Sequence, residues 1–410
     1  MQGLVSGFPP PGEASFPFAL RLGPRAAGQA PCGGPAVAFV FEGGGQPQSP
    51  LENDLRRLRG AICLDTLDAL GLLEAARELD RIVLVTDRHG LASEVPSGVE
   101  VVDSSSDGPF HFGETLSRLL GAHRPGLALV LGGAAAPLLS SEDLRRFVIL
   151  ARANPGAVVQ NNPQSPDIVA FSPAAEAAGL TLPDSDNALG QVLGAAGYRR
   201  VLVENSARVN FDLDTPADAA VLAGEGGVGP RTRRALGDLP WLDPIQRRLD
   251  GVEAVLAAEG AELALFGRVG PPVTGYLNMH LRCRLRVFSE ERGMRALGRV
   301  ASGAVVSLVG RLTDLVGPEA FFAAFEGCAD ATLLDSRVIM AHWRQNLSDA
   351  DRYHSDIGAV DQITDPRLAA FTAAAWAARA PLVLGGHTLV YGGLWLLADR
   401  AIRRLHPAPD

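Results

Sequence analysis

The chain contains no lysine; all 37 of its basic side chains are arginines. Any mechanism that needs a compact ammonium as a point charge is therefore excluded, and an anion must be met by planar guanidinium groups instead. An arginine-leaning, GC-rich coding genome accounts for the bias, but its chemical consequence holds regardless. Cysteine is scarce as well. Cys32, Cys63, Cys283 and Cys328 are scattered without a C-x-x-C pair, so neither a zinc knuckle nor a disulfide framework is expected, and the four read as small buried hydrophobes. Aromatic residues make up only 6% against 47% hydrophobic residues, which suits helix-rich cores of Ala, Val and Leu. No apolar run approaches the roughly eighteen residues that cross a bilayer. The first residues also lack the basic start and apolar block of a secretory signal, so a cytoplasmic chain without a membrane partner is expected. A formal charge of -9 argues against nucleic acid as a partner, since that footprint is a basic patch.

What is present divides the chain. At 410 residues it exceeds one ordinary core, and two domains are expected. Residues 1–34 are dense in Pro, Gly and Ala without a sustained period and read as a poorly ordered lead-in. From residue 35 to 223 strand-like and helix-like segments alternate: "AVAFVFE", the long helical stretch "NDLRRLRGAICLDTLDALGLLEAARELD", "RIVLVTD", "GETLSRLLGAH", "LALVLGG" and the Ser-capped "SSEDLRRFVILARA". Such alternation implies a mainly parallel sheet with helices on both faces, a three-layer α/β/α arrangement, with ligands beyond the carboxyl ends of the strands. Residues 224–240, "GEGGVGPRTRRALGDLP", read as a linker or exposed crossover. Residues 241–406 resume the alternation as a second α/β domain. Its expected strands are "AELALFGRV", "CRLRVFS", "SGAVVSLVG", "ATLLDSRVIMAHW" and "APLVLGG", between the helix "PIQRRLDGVEAVLAAEG" and the closing helix "GGLWLLADRAIRRL".

Near the end of the first domain, "VNFDLDTPADAAVL" places Asp212 and Asp214 two residues apart. In an extended segment both side chains point the same way and can share a cation. The same stretch reads as a helix start: Thr215 caps, Pro216 suits the first position and Asp218 favours the positive end. The two readings are compatible.

Four signals occur in order: a first strand ending in Gly43, Gly44 and Gly45; "RLRGAICLDTLDAL" entering a helix; "LVLGGAAAPLLSSEDL"; and "NFDLDTPADAAVL". Over roughly Ala36 to Ala223 this series resembles the MobA-like nucleotidyltransferases of the nucleotide-diphospho-sugar transferase fold. The resemblance implies that Gly43 to Gly45 wrap nucleotide phosphates and that Asp212 and Asp214 lie on the metal side, with Mg²⁺ as cofactor. It also implies an NTP or sugar nucleotide as ligand and a phosphorylated or sugar-like small molecule as acceptor. The family's phosphate-neutralising Arg and Lys have only Arg56, Arg57 and Arg59 as candidate substitutes, which equally read as a solvated helix face. Its "GDxPLL" motif keeps Pro137, Leu138 and Leu139 but has Gly and Ala where the metal-binding Asp is expected.

Between these marks, "VVQNNPQSPDIVAFSP" crowds Asn161, Asn162, Ser165 and Asp167 into a Pro-bracketed loop. Its amides can read a base or sugar edge, or simply form Asx turns. His111 precedes a helix and reads as a cap or an anion contact. The second domain carries another set: Asp335, Arg337 and His342 in "DSRVIMAHW"; Arg352, His354 and Asp356 in "DADRYHSDIG"; and His387 in "GGHTLVYGG". These could form an acid/base, phosphate or metal site, or be turns and caps; the spacing matches no metal motif. Three functions remain open: a nucleotidyltransferase, a degenerate nucleotide-binding module without transfer, and an enzyme whose active site is in the C-terminal domain around Asp335, His354 and His387. A homo-oligomer is compatible with all three.

Overall fold

The computed structural model describes residues 33–105, 110–135, 137–203, 205–345 and 347–406. All but the last two residues of the expected lead-in, and Cys32, lie outside them.

Seven strands form the first sheet: β1 (Ala36–Phe41), β2 (Arg81–Thr86), β3 (Glu100–Asp103), β4 (Leu127–Gly132), β5 (Ala157–Gln160), β6 (Ile168–Ser172) and β7 (Arg199–Leu202). Their order is β3-β2-β1-β4-β6-β5-β7. Only β6 runs antiparallel to its neighbours. The central strands are continuous apolar runs because both faces are covered. On one face Ala38, Val40 and Leu129 pack with Leu64 and Leu67 of the Pro50–Ala75 helix and Phe147 of the Ser141–Ala153 helix. On the other, Val37 and Phe39 meet Leu116 and Leu120 of the Phe112–His123 helix. Helix starts follow local chemistry. The Ser49 hydroxyl accepts from the Glu52 N–H with Pro50 in the first position, Ser140 and Asp143 cap each other reciprocally, and Thr215 and Asp218 do the same for the Pro216–Ala223 helix.

The second sheet is parallel throughout, with β8 (Glu262–Gly267), β9 (Arg284–Ser289), β10 (Ala331–Asp335) and β11 (Leu382–Gly385) in the order β11-β10-β8-β9. Three details differ from the sequence reading. The expected strand "SGAVVSLVG" is a loop leading into the Leu308–Val316 helix. Only the first part of "ATLLDSRVIMAHW" is strand; from Ser336 it turns into the Ser336–Trp343 helix. Cys328 is exposed in the turn after Gly327, while Cys63 and Cys283 are buried as expected. Within the Gly- and Pro-rich stretch 224–240, residues Pro230–Gly237 form a helix whose N-terminal Thr232 N–H donates to Asp65 of the first long helix at 2.8 Å.

One hydrophobic cluster runs through both halves, joining Leu55, Phe211 and Ala217 to Ile245, Leu265 and Leu394. At its edge the "GGHTLVYGG" segment lies against the "NFDLDTPA" turn at backbone distance. A Cβ on Gly392 would stand 2.1 Å from the Asn210 carbonyl oxygen, one on Gly385 2.9 Å from the Ala217 Cβ, and one on Gly386 3.0 Å from the Thr215 Cγ2. These glycines are required by close approach rather than by a turn. Gly392→Ala should therefore lower stability by about 1–3 kcal/mol through overpacking. Gly71→Ala, where a Cβ meets nothing within 4 Å, should raise it by about 0.5–1 kcal/mol through helix propensity. Thermal unfolding of the two variants checks the pair, and equal shifts would refute the close-packed seam.

Candidate functional site

The carboxyl ends of β5, β8, β10 and β11 and the reversed start of β6 open on one cleft of about 380 Å³. Because β6 runs backwards, Asp167 just before its first residue arrives at the same rim as the ends of its parallel neighbours. Both halves of the chain supply walls.

The first half contributes carboxylates: Asp167, Asp186, Asp212 and Asp214. Among the described residues their one ion pair is Asp214 with Arg59, at 4.0 Å. Burial, then the charges of Asp186 and Asp214, push Asp167 up to about 8. Burial, then Asp214 and Asp167, raise Asp212. Asp218 behind them is pushed up to about 8 by burial and Asp214; its Oδ2 accepts from the Thr215 N–H at 2.8 Å while Oδ1 is buried with no partner. The helix cap read from "DLDTPAD" is thus formed. The Thr388 hydroxyl of the second half donates to Asp212 Oδ1, so a residue of one half fixes the first aspartate of the other.

The opposite wall carries arginines. Arg268, at the end of β8, is held by Asp335 at the end of β10 through bonds of 2.6 and 3.1 Å. Burial works against the Asp335 charge, but Arg268 outweighs it and holds the carboxyl below its ordinary value. Arg337 makes a buried two-point contact with Asp356, at 2.8 and 2.5 Å. Breaking such a pair typically costs about 3–5 kcal/mol, so its first role is structural. Arg352 pairs with Asp349, yet its Nε is buried and unpartnered. His387 stacks on Tyr391 with centroids 5.4 Å apart. Burial, then Arg268, lower it to about 4 against the pull of Asp335, so the ring is neutral at physiological pH.

The residues singled out from the sequence divide accordingly. Arg59, Asn162, Asp212, Asp214, Arg337, Arg352 and His387 line the cleft. Asn162 Oδ1 accepts from the backbone of Gln164 and Ser165, an Asx turn that shapes the rim. Asn161 points inward and bonds Val209, Asp167 and Ile168. Gly43, Gly44 and Gly45 are exposed after β1 and are not among the residues lining the cleft. Arg56 and Arg57 line a different depression, of about 760 Å³, together with Arg88 and Arg231. Buried Glu42 stands between the two spaces, bonding Arg59 and Arg88 at 3.1 and 3.0 Å. His342 lies by Asp314, 3.5 Å away, and is also not among the lining residues. His354 is buried with its Nδ1 unpartnered and its pKa lowered by burial, and like Asp335 and Asp356 it is not among the lining residues. The sequence reading missed Asp186, Arg268, Arg295, Tyr353 and Tyr391, all of which line the cleft. Arg268 was within reach of the strand-end rule, since it directly follows β8; Tyr353 and Tyr391 lie inside the segments "DADRYHSDIG" and "GGHTLVYGG" but were passed over for their charged neighbours, and Asp186 and Arg295 sit in segments without a motif.

No protein-family model matches the chain, and no curated protein matches it. Solved structures do. A candidate nucleotide-diphospho-sugar transferase from Desulfovibrio desulfuricans is 13% identical over 52% of this chain and 97% of its own, with a TM-score of 0.37. A cytidylyltransferase from Leptospira borgpetersenii is 17% identical over 46% of this chain and 85% of its own, with a TM-score of 0.33. A Mycobacterium tuberculosis protein solved with manganese is 17% identical over 47% of this chain and 99% of its own, with a TM-score of 0.32. At such identities and scores the likeness bears on neither substrate nor activity. About half of the chain is thus similar to nucleotide-diphospho-sugar transferases and cytidylyltransferases.

Proposed function

We propose that the cleft binds the phosphates of an NTP or sugar nucleotide with a divalent cation, Mg²⁺ being the ion suited to an all-oxygen donor set, and transfers a nucleotidyl group to a small acceptor. The observation that supports this reading is the group of four aspartates sharing a single distant ion pair, facing a wall of arginines. The aspartate wall lacks the cation that a metal-bound phosphate brings. Among the described residues, no three acidic, His or Cys side chains form a ready-made cage. That fits an ion which keeps several waters and takes one or two carboxylates and phosphate oxygens for the rest. Asp212 and Asp214 are the ligands, Thr388 sets the orientation of the Asp212 carboxylate, and Arg59 offers a guanidinium beside Asp214. The cation would supply charge neutralisation at the phosphate oxygens. Alignment and neutralisation suffice for this reaction, which needs no protein nucleophile.

A second reading, a module that binds without transferring, is favoured by one feature. In the family that the sequence resembles, a carboxylate would stand at the "GDxPLL" motif. Here Ala135 belongs to an apolar cluster with Leu131 and Leu139, and Glu42 near that edge is neutralised by Arg59 and Arg88.

The first test is calorimetric titration of NTPs and sugar nucleotides with and without Mg²⁺. Binding should need the metal, and an Asp212→Asn, Asp214→Asn double variant should weaken it at least tenfold; metal-independent binding that ignores the variant would sink the proposal. Pyrophosphate release on adding acceptor separates transfer from binding alone.

The pH dependence has a defined sign. The folded protein keeps protons on Asp167 and Asp218 up to about 8, whereas an unfolded Asp releases its proton near ~4. The metal-free protein should lose stability as pH rises from about 4 to 8. Asp212, raised above its ordinary value by burial and then by Asp214 and Asp167, must give up its proton to ligate the metal, so Mg²⁺ affinity should climb as pH rises, with proton release into the buffer. Calorimetry in two buffers of different ionisation enthalpy reads the protons directly. A flat affinity between pH 6 and 8.5 would count against the aspartates as the metal side.

A further inference from the structure

Every cleft arginine from a strand end or helix has a carboxylate: Arg59 has Glu42, Arg268 has Asp335, Arg337 has Asp356 and Arg352 has Asp349. Two arginines differ. Arg292 and Arg295 belong to the loop that follows β9, and among the described residues neither has an ion pair or a side-chain hydrogen bond, with the Arg292 Nε buried and unpartnered. That loop is held at both ends. Arg299 grips Glu291 through two bonds of 2.7 Å, and the Glu290 carboxylate accepts from the Leu308 N–H at 2.8 Å and from the Ser307 hydroxyl. The arginines are therefore presented from a braced loop rather than from a loose one.

Their position is also defined. Arg295 lines the cleft beside Arg337 and Arg352. Arg292 lines a neighbouring groove of about 590 Å³ that shares Gln164 and Gly293 with the cleft, so the two spaces adjoin. Burial first, then the charges of Arg337 and Arg295, lower the proton affinity of Arg352. Like charges are thus pressed together at the junction, an arrangement that an anion relieves. Guanidinium forks suit phosphate, which they bind by charge-assisted and often two-point hydrogen bonds.

We infer that Arg292 and Arg295, with the unpartnered Nε edge of Arg352, form an anion site for a phosphate-type group of the acceptor, placed where the side groove joins the cleft. The inference rests on the reading of the cleft as a nucleotidyltransferase-like site and narrows its acceptor to a phosphorylated one. The groove takes the rest of the acceptor, and the aspartate rim keeps the nucleotide's phosphates. The same chemistry could come from the nucleotide itself, and the experiment separates the two sources.

Inorganic phosphate is titrated into the metal-free full chain, and Mg²⁺ with each of the four NTPs is titrated separately. Both series are repeated on Arg292→Gln, Arg295→Gln and on Arg292→Lys, Arg295→Lys. Among the described residues neither side chain makes a hydrogen bond or ion pair that the fold would lose, so the variants should fold, which circular dichroism checks. The expected result is a loss of phosphate binding of at least tenfold in the glutamine variant, partial rescue in the lysine variant, and Mg²⁺-NTP binding within about threefold of the parent. Unchanged phosphate binding in the glutamine variant overturns the anion site. A parallel loss of phosphate and Mg²⁺-NTP binding assigns the arginines to the nucleotide and overturns the acceptor site. If the parent binds no NTP yet loses phosphate in the glutamine variant, the anion site stands and the nucleotide reading fails.

Discussion

The contact on which the rest depends is the seam between "NFDLDTPA" and "GGHTLVYGG". Four features of the second segment serve it: Gly385, Gly386 and Gly392 let its backbone approach where no Cβ fits, and Thr388 reaches across to the Asp212 carboxylate. The seam brings the carboxyl ends of two separate sheets to one cleft. Without it the aspartates would face solvent, and the buried arginine pairs of the second sheet would have no opposing wall. Burial is the largest cause that raises Asp212 and Asp218 in this seam, and Asp167 at the facing rim.

The two walls resolve their charge differently. Arginines at strand ends are neutralised in place by Asp335 and Asp356, which makes them rigid and geometrically defined. On the other wall Asp167, Asp186 and Asp212 have no ion pair among the described residues, and burial moves these three toward the protonated form. A chain without lysine has only guanidinium for its basic wall, and guanidinium keeps its charge at any physiological pH. At physiological pH, with His387 neutral, the arginine wall keeps its charge while the buried aspartates change theirs.

Much of the fold was legible in the sequence because long apolar runs bounded by Gly or Asp are local signals. β1, β2, β4, β8 and β10 read directly from them, as did the caps at Ser140 and Thr215. β3 and β7 did not, because edge strands such as "EVVD" and "RRVL" are half exposed and carry no apolar run. The stretch from Ser302 to Gly310 looked like a strand because a window of nine residues cannot separate a period of two from one of 3.6; only with Leu312, Leu315 and Val316 does the helical spacing emerge. For the site, Asp212 and Asp214 were legible because their motif is contiguous. Asp186, Arg268 and Arg295 were not, because only folding brings loops so far apart in sequence to one rim. In "GGHTLVYGG" the sequence singled out His387, whereas the role of the glycines depends on a distant segment: they admit another part of the same chain.

Backbone packed on backbone has little room to slide. Domain closure over a ligand requires a hinge or a shearing interface that can repack at low cost, and the Gly392–Asn210 contact supplies neither. The carboxyl ends of the two sheets are accordingly held in one relation across the seam, and the cleft between them takes its shape from that contact.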